Sequence, residues 1–256
     1  MTVGFGYVKD DRDDRDWDFD RLGLGEPDTS DRVQLYEWDP YNQGATNSCV
    51  GQAAAGSLYL AEHTNRGKSK KPCPWVLYEQ ARRISRPKGK LEDRGTRIRD
   101  CFKALKALGC CDDSLWPAKK DINSRPNILM RFRGHGRKGG DYYKIKDASG
   151  SARVRAILAA LNAGHPVVFG TAVSNEFRRA RGVSPLTPVP KDGIVGYHAL
   201  VISGYRRDAD GQLYFRVRNS WGTSWGQRGY AWLSDGYINW SESSDFWVVT
   251  NWRNVR

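Results

Sequence analysis

No window of the chain approaches the roughly 18 unbroken apolar residues a membrane helix needs, and the N-terminus lacks a basic-then-apolar secretory pattern. A spanning helix is therefore excluded, and the cytoplasm is the expected compartment. Cysteine is scarce: there are five, an odd count, with Cys110 and Cys111 adjacent, so no complete disulfide framework is implied. Reduced thiols fit the same compartment. No CxxC pair occurs and neighbouring cysteines chelate one tetrahedral ion poorly, so no metal site is expected. A glycine-rich nucleotide loop is also missing, and no cofactor is implied. Acidic residues are outnumbered, 29 against 41 Lys and Arg, for a net charge of +12. No nucleic-acid reader motif accompanies that charge, so nucleic acid is not the expected partner. The excess reads as solubility with a weak pull on acidic protein or peptide substrates.

What is present describes a folded enzyme-sized chain. Its 256 residues suit one large domain or two lobes sharing a cleft, and 27% charged residues with ten Trp are a globular composition. The first twenty residues carry seven Asp against Lys9, Arg12 and Arg15, and are expected to form a solvated arm, with docking on a basic face as the alternative. Helical signals follow: small residues from Cys49 to Gly67, a segment from Trp75 to Ile84, then Ile98, Cys101, Phe102, Leu105 and Leu108 at helical spacing with Gly109 as the stop. Cys101 thus reads as core. Trp116-Pro117 closes this half. Beyond it, Arg131 to Gly140 reads as a flexible basic loop, Ser151 as the cap of a helix through Leu161, and Val167 to Phe169 as a buried strand. Strands and turns alternate from Ala199. The expected division is a charged arm over 1–31, a mainly helical lobe over 32–120 and a mainly β lobe over 121–256, an α+β plan.

The chemistry gathers at two places. The loop Asn42-Gln43-Gly44-Ala45-Thr46-Asn47-Ser48 delivers Cys49 onto the first turn of a helix, where free N–H groups and the helix dipole favour a thiolate. Of the four histidines, His63 lies late on a helix, His135 in the basic loop and His165 before a proline, which leaves His198. It heads an apolar strand; Asp208-Ala209-Asp210-Gly211 is a turn signal, and Leu213, Phe215 and Val217 alternate in the return strand. A hairpin centred between Asp208 and Ala209 sets His198 opposite Asn219. An Asn amide oxygen there would hold the imidazole in one tautomer and orientation, as a base for a thiol requires.

These residues together resemble the papain-like cysteine peptidases. The likeness rests on Gln43 six residues before Cys49, on His198-Ala199, and above all on Asn219-Ser220-Trp221-Gly222-Thr223-Ser224-Trp225-Gly226-Gln227-Arg228-Gly229-Tyr230. Gly95 to Pro117 is similar to the family's cleft-wall glycine, helix and Trp/Tyr-Pro exit. The resemblance implies a two-lobe fold, a helical lobe and an antiparallel β-barrel-like lobe with the cleft between them. It implies Cys49 as nucleophile, His198 as base, Asn219 as its orienter and Trp221 as the shield of that hydrogen bond. Gln43 and the Cys49 backbone N–H would form the oxyanion hole. Gly95 would bond an extended substrate backbone, and Ala199 would line the main specificity pocket. Where the family reads C-G-[SA]-C-[WY], this chain reads Thr46-Asn47-Ser48-Cys49-Val50, which removes a family disulfide. The lead-in is shorter than the family's usual pro-domain, as in bacterial-type members. A thiol amidase or transpeptidase, or a non-catalytic peptide-binding module on the same scaffold, are the alternatives, and the Asp-rich arm is a candidate restraint on activity.

Overall fold

Small side chains set the packing of the first helix. In α1 (Cys49–Arg66) the run from Val50 to Leu58 is buried throughout, and a Cβ on Gly51 would stand 2.7 Å from both the Pro74 carbonyl oxygen and the Tyr78 Cβ. The helix therefore lies close against α2 (Pro74–Ser85), which opens on a proline, and α3 (Ile98–Ala107) packs on both. Gly67, at φ 73°, ends α1 by donating its N–H to the His63 carbonyl. Ile98, Cys101, Phe102 and Leu105 face inward as their spacing predicts, with the Cys101 thiol under the Leu77 carbonyl. This computed structural model describes residues 4–28, 30–67, 69–88, 90–116, 121–146, 150–250 and 253–254. Pro117 and Lys68 lie outside the described residues.

The second half is built on a mixed-length antiparallel sheet. Its strands are β1 (Arg32–Gln34), β3 (Tyr142–Ile145), β4 (Val167–Ser174), β5 (Ile194–Arg207), β6 (Leu213–Arg218), β7 (Tyr230–Ser234) and β8 (Ser243–Val249), in the order β3-β8-β4-β5-β6-β7 with β1 on the far end of β5. β2 (Arg137–Lys138) pairs instead with β9 (Arg253–Asn254). The α+β plan holds, but the sheet does not close into a barrel. Loop segments occupy its two ends: Leu186 exchanges backbone hydrogen bonds with Trp232 and Ser234 along β7, and the Lys144 N–H of β3 donates to the Trp17 carbonyl. With both edges covered, no ladder joins β3 to β7.

Three local expectations are corrected. The stretch read as a loop from Arg131 contains most of α4 (Ile128–His135), whose first turn is capped by the Asn127 side chain accepting from the Met130 N–H. Its amphipathic signal is hidden because Ile128, Leu129 and Phe132 face solvent while Met130 and Gly134 face inward. Ser151 begins α5 (Ser151–Asn162) as its first residue, with Gly150 at the cap and no side-chain capping bond. The hairpin register is also displaced: Val201 pairs with Arg218 and Arg207 with Leu213, with a bulge between Ile202 and Gly204, so the turn centres closer to Asp210 than to Asp208. Two short helices, α6 (Asn175–Arg178) and α7 (Asp235–Ile238), complete the order.

Candidate active site

Cys49 is the first residue of α1 and His198 lies five residues into β5, directly across from Thr171 of β4. Both are fully buried, at 0% exposure, and the Ala199 backbone N–H reaches the Cys49 sulfur. Asn219 follows the last residue of β6. Despite the shifted register, its Oδ1 stands 2.7 Å from His198 Nε2. His198 Nδ1 is buried with no hydrogen-bond partner, so the bond to Asn219 leaves that nitrogen free to exchange a proton. The Trp221 ring lies 4.6 Å from the imidazole, centroid to centroid, and covers it.

Gln43 is fixed from the Asn219 side. Its Oε1 accepts from Ser220 Oγ at 2.6 Å and its backbone N–H donates to the Ser220 carbonyl, which aims Nε2 into the cleft. The loop leading to Cys49 is tied down by Asp93. That carboxylate accepts from the Asn47 N–H and from Tyr78 Oη, and Tyr78 Oη in turn accepts from the Gly95 N–H. Ser220, Asp93 and Tyr78 were missed by sequence reasoning. Ser220 alone had a visible signal, as the residue after the candidate orienter.

The arm expected in solvent lies in the cleft. Residues Gly4-Phe5-Gly6-Tyr7 run extended between the Gly44–Asn47 loop, Thr96 and β5: the Gly4 N–H donates to the Gly44 carbonyl, the Gly6 N–H to Tyr197, and the Thr96 N–H to the Gly6 carbonyl. Gln43 Nε2 donates to the Gly4 carbonyl oxygen at 3.0 Å. Glycine alternates here because Cβ atoms on Gly4 and Gly6 would each fall 1.9 Å from a carbonyl oxygen, of Thr46 and Asn47. The other face of the strand carries Phe5, whose ring is edge-on to His198 and Trp221, and Tyr7. Further along, Asp10 is buried with Oδ2 accepting from Trp247 Nε1, and Asp16 is paired to Arg99 with both side chains buried. Docking thus takes the Tyr7 ring and the Asp10 and Asp16 carboxylates out of water and partly covers the Phe5 ring.

Burial dominates the electrostatics. Burial pushes the Cys49 thiol up to about 12 against the N–H groups that favour its anion, and pulls His198 down to about 4 against its bond to Asn219. The start of a helix alone predicts a thiolate; under the arm, thiol and imidazole are both held neutral. Of the residues assigned to substrate, Trp221 and Ala199 flank His198. Gly95, at φ 76°, leaves room for the Gly6 carbonyl, while the backbone bond to the extended segment comes from its neighbour Thr96. Among the described residues no three His, Cys, Asp or Glu side chains stand together in a metal-binding arrangement.

Comparison with known proteins points to one family. The family model described as papain family cysteine protease matches residues 102–251, a span that includes His198 and Asn219 and stops short of Cys49. An uncharacterized peptidase C1-like protein of Acanthamoeba polyphaga mimivirus is 28% identical over 219 residues, 81% of this chain and 68% of that protein. Fruit bromelain from Ananas comosus is 51% identical, but over 39 residues, 15% of this chain and 11% of its own. Among solved structures, Xylellain, a cysteine protease from Xylella fastidiosa, matches with a TM-score of 0.82 at 27% identity, over 98% of this chain and 97% of that one.

Proposed function

The chain belongs to the papain family of cysteine proteases and is a cysteine-type peptidase; from that premise we propose that it hydrolyses peptide bonds through Cys49, His198, Asn219 and Gln43, and that its own arm restrains it. The observation that carries this reading is the Gly4 peptide carbonyl, held by Gln43 Nε2 one residue before Phe5, whose ring stands edge-on to His198. A substrate carbonyl placed there meets a side-chain amide and the Cys49 backbone N–H, the two donors that stabilise an oxyanion. Cys49 Sγ attacks the carbonyl carbon after its proton passes to His198 Nδ1. The C–N bond breaks as that proton moves to the leaving amine, and water attack on the thioester releases the acid and restores the thiol. Asn219 holds the imidazole on Nε2 throughout, and Trp221 keeps water from that bond.

The restraint follows from occupancy: a peptide cannot enter while Gly4 to Tyr7 fill the groove. Protein or peptide substrates are implied by the family. No helix among the described residues is long and apolar enough to cross a membrane, and all five cysteines are unpaired, which supports a reducing compartment such as the cytoplasm.

The test is labelling of the full-length chain by an epoxysuccinyl thiol probe across pH 4–9, with the modified residue mapped by mass spectrometry. Labelling is expected at Cys49, lost in Cys49→Ala and strongly reduced in His198→Ala, and faster in Phe5→Ala, whose arm grips the cleft less well. A folded Phe5→Ala protein inert to the probe would sink the peptidase reading and favour a peptide-binding module.

A further inference from the structure

Tyr7 fills the pocket that Ala199 borders. Its ring stands directly over Gly170 of β4, where a Cβ would lie 2.0 Å from the ring. In the sheet Gly170 is flanked by Ala199 on β5 and Ser244 on β8, so the ring enters a slot whose floor has no side chain. The slot ends in polar atoms: Tyr7 Oη donates to Asp245 Oδ2 at 2.6 Å and lies 2.8 Å from Ser244 Oγ. Asp245 is itself 5% exposed.

We infer that in this chain the specificity pocket lined by Ala199 prefers a substrate aromatic ring tipped with a hydrogen-bond donor, tyrosine before phenylalanine. The inference rests on the proposed peptidase function and names its substrate class. The argument is one of hydrogen-bond supply. Asp245 Oδ1 is paired with Lys144 Nζ at 3.0 Å, whereas Oδ2 takes both of its donors from the arm, Tyr7 Oη and the Asp10 N–H at 2.6 Å. When the arm leaves, Oδ2 loses both and faces the empty slot. An incoming tyrosine restores a donor at the same depth. Phenylalanine fills the same volume and leaves a buried carboxylate oxygen unsatisfied, the situation in which a pocket discriminates most strongly. Lysine or arginine brings a second cation to a carboxylate that Lys144 already neutralises. Leucine leaves both the slot and the acceptor unfilled.

Asp245 also has φ 54°, a conformation that glycine adopts freely and asparagine tolerates, so both substitutions suit the backbone. The experiment uses the full-length chain and peptidyl vinyl-sulfone probes carrying tyrosine, phenylalanine, leucine or arginine in turn at each of the three positions on the acyl side. Each probe must wait for the same opening of the arm, so the opening equilibrium cancels from the ratio of labelling rates. The expected result is a tyrosine-to-phenylalanine ratio of roughly ten- to a hundredfold at one position. That ratio should fall to near one in Asp245→Gly and to an intermediate value in Asp245→Asn, which keeps an acceptor oxygen. Ser244→Ala, which leaves the ion pair intact, should lower it a few-fold and serves if Asp245→Gly does not fold. A wild-type ratio near or below one at every position, or a ratio unchanged in Asp245→Gly and Ser244→Ala, overturns the inference. Absence of labelling by every probe, in wild type and in Phe5→Ala, overturns the peptidase reading beneath it.

Discussion

Ser220 acts on the candidate site at one remove. Its hydroxyl donates to Gln43 Oε1, and that bond, together with the donation of Gln43 Nε2 to the Thr46 carbonyl at 2.7 Å, sets which end of the amide faces the cleft. Removing it in Ser220→Ala should lower kcat about three- to tenfold with little change in KM, since an amide free to turn loses an interaction made most strongly in the transition state. Gln43→Ala should cost about 100- to 1000-fold in kcat. Steady-state kinetics on one peptide substrate checks both, and equal losses in the two variants would mean that Ser220 matters for folding rather than for aim. The titration of Cys49 belongs to the same scale. Because burial raises the thiol to about 12 and lowers His198 to about 4, loosening the cover in Phe5→Ala should move the pH midpoint of Cys49 alkylation downward. An unmoved midpoint would show that something other than the arm sets it. Cys49, His198, Asn219 and Gln43 were legible because each sits in a local run whose residue types suit one chemistry. Ser244, Asp245 and Gly170 were not, since nothing near them in the chain marks a pocket wall.

At the scale of elements, the restraint proposed for the arm comes with its own acid. Burial, with the neighbouring Asp245 carboxylate, pushes Asp10 up to about 7 from 3.8, against the pull of Arg99, the Trp247 N–H and Lys144. A docked arm therefore holds a proton that a free arm releases. This contribution to docking is fully present below about pH 3.8 and is lost as pH rises through about 7. Cys49 alkylation in wild type, relative to Asp10→Asn, should consequently rise between pH 4 and pH 8; a flat ratio would rule out Asp10 as the sensor. The helix α3 and the strand β6 followed from periodicity, α1 from its run of small residues, and β4 and β5 from short apolar runs. The hairpin is instructive, because its turn chemistry brought His198 and Asn219 together while its register was wrong. The turn lies closer to Asp210 than its chemistry suggested, the bulge between Ile202 and Gly204 takes back one residue of that offset, and His198 and Asn219 still meet in a hydrogen bond. The helix α4 escaped because its large apolar residues face water.

At the scale of the whole molecule, Arg218 joins the halves. Its guanidinium is buried at the end of β6, stacked 3.7 Å from the Trp38 ring centroid and beside Tyr41, and Gly56 of α1 leaves the space it fills. Burial lowers its pKa. Arg218→Lys keeps the charge but loses the planar stack, and should cost about 1–3 kcal/mol, read as a Tm lower by several degrees. No change in Tm would mean the stack carries no stability. Residue chemistry, helix and strand periods, and the residues after Asn219 were determined by the sequence itself, because each depends on neighbours within one or two turns of chain. The closed cleft was decided only in three dimensions. Gly4 and Gly6 require the carbonyls of Thr46 and Asn47, and Phe5 and Tyr7 require the bare backbones of Gly196 and Gly170. Those partners are far away in sequence, and only packing brings them to one groove. Charge alone argued for a solvated arm; burying the Tyr7 ring, partly covering that of Phe5 and pairing Asp16 with Arg99 outweighs that argument once the body has folded.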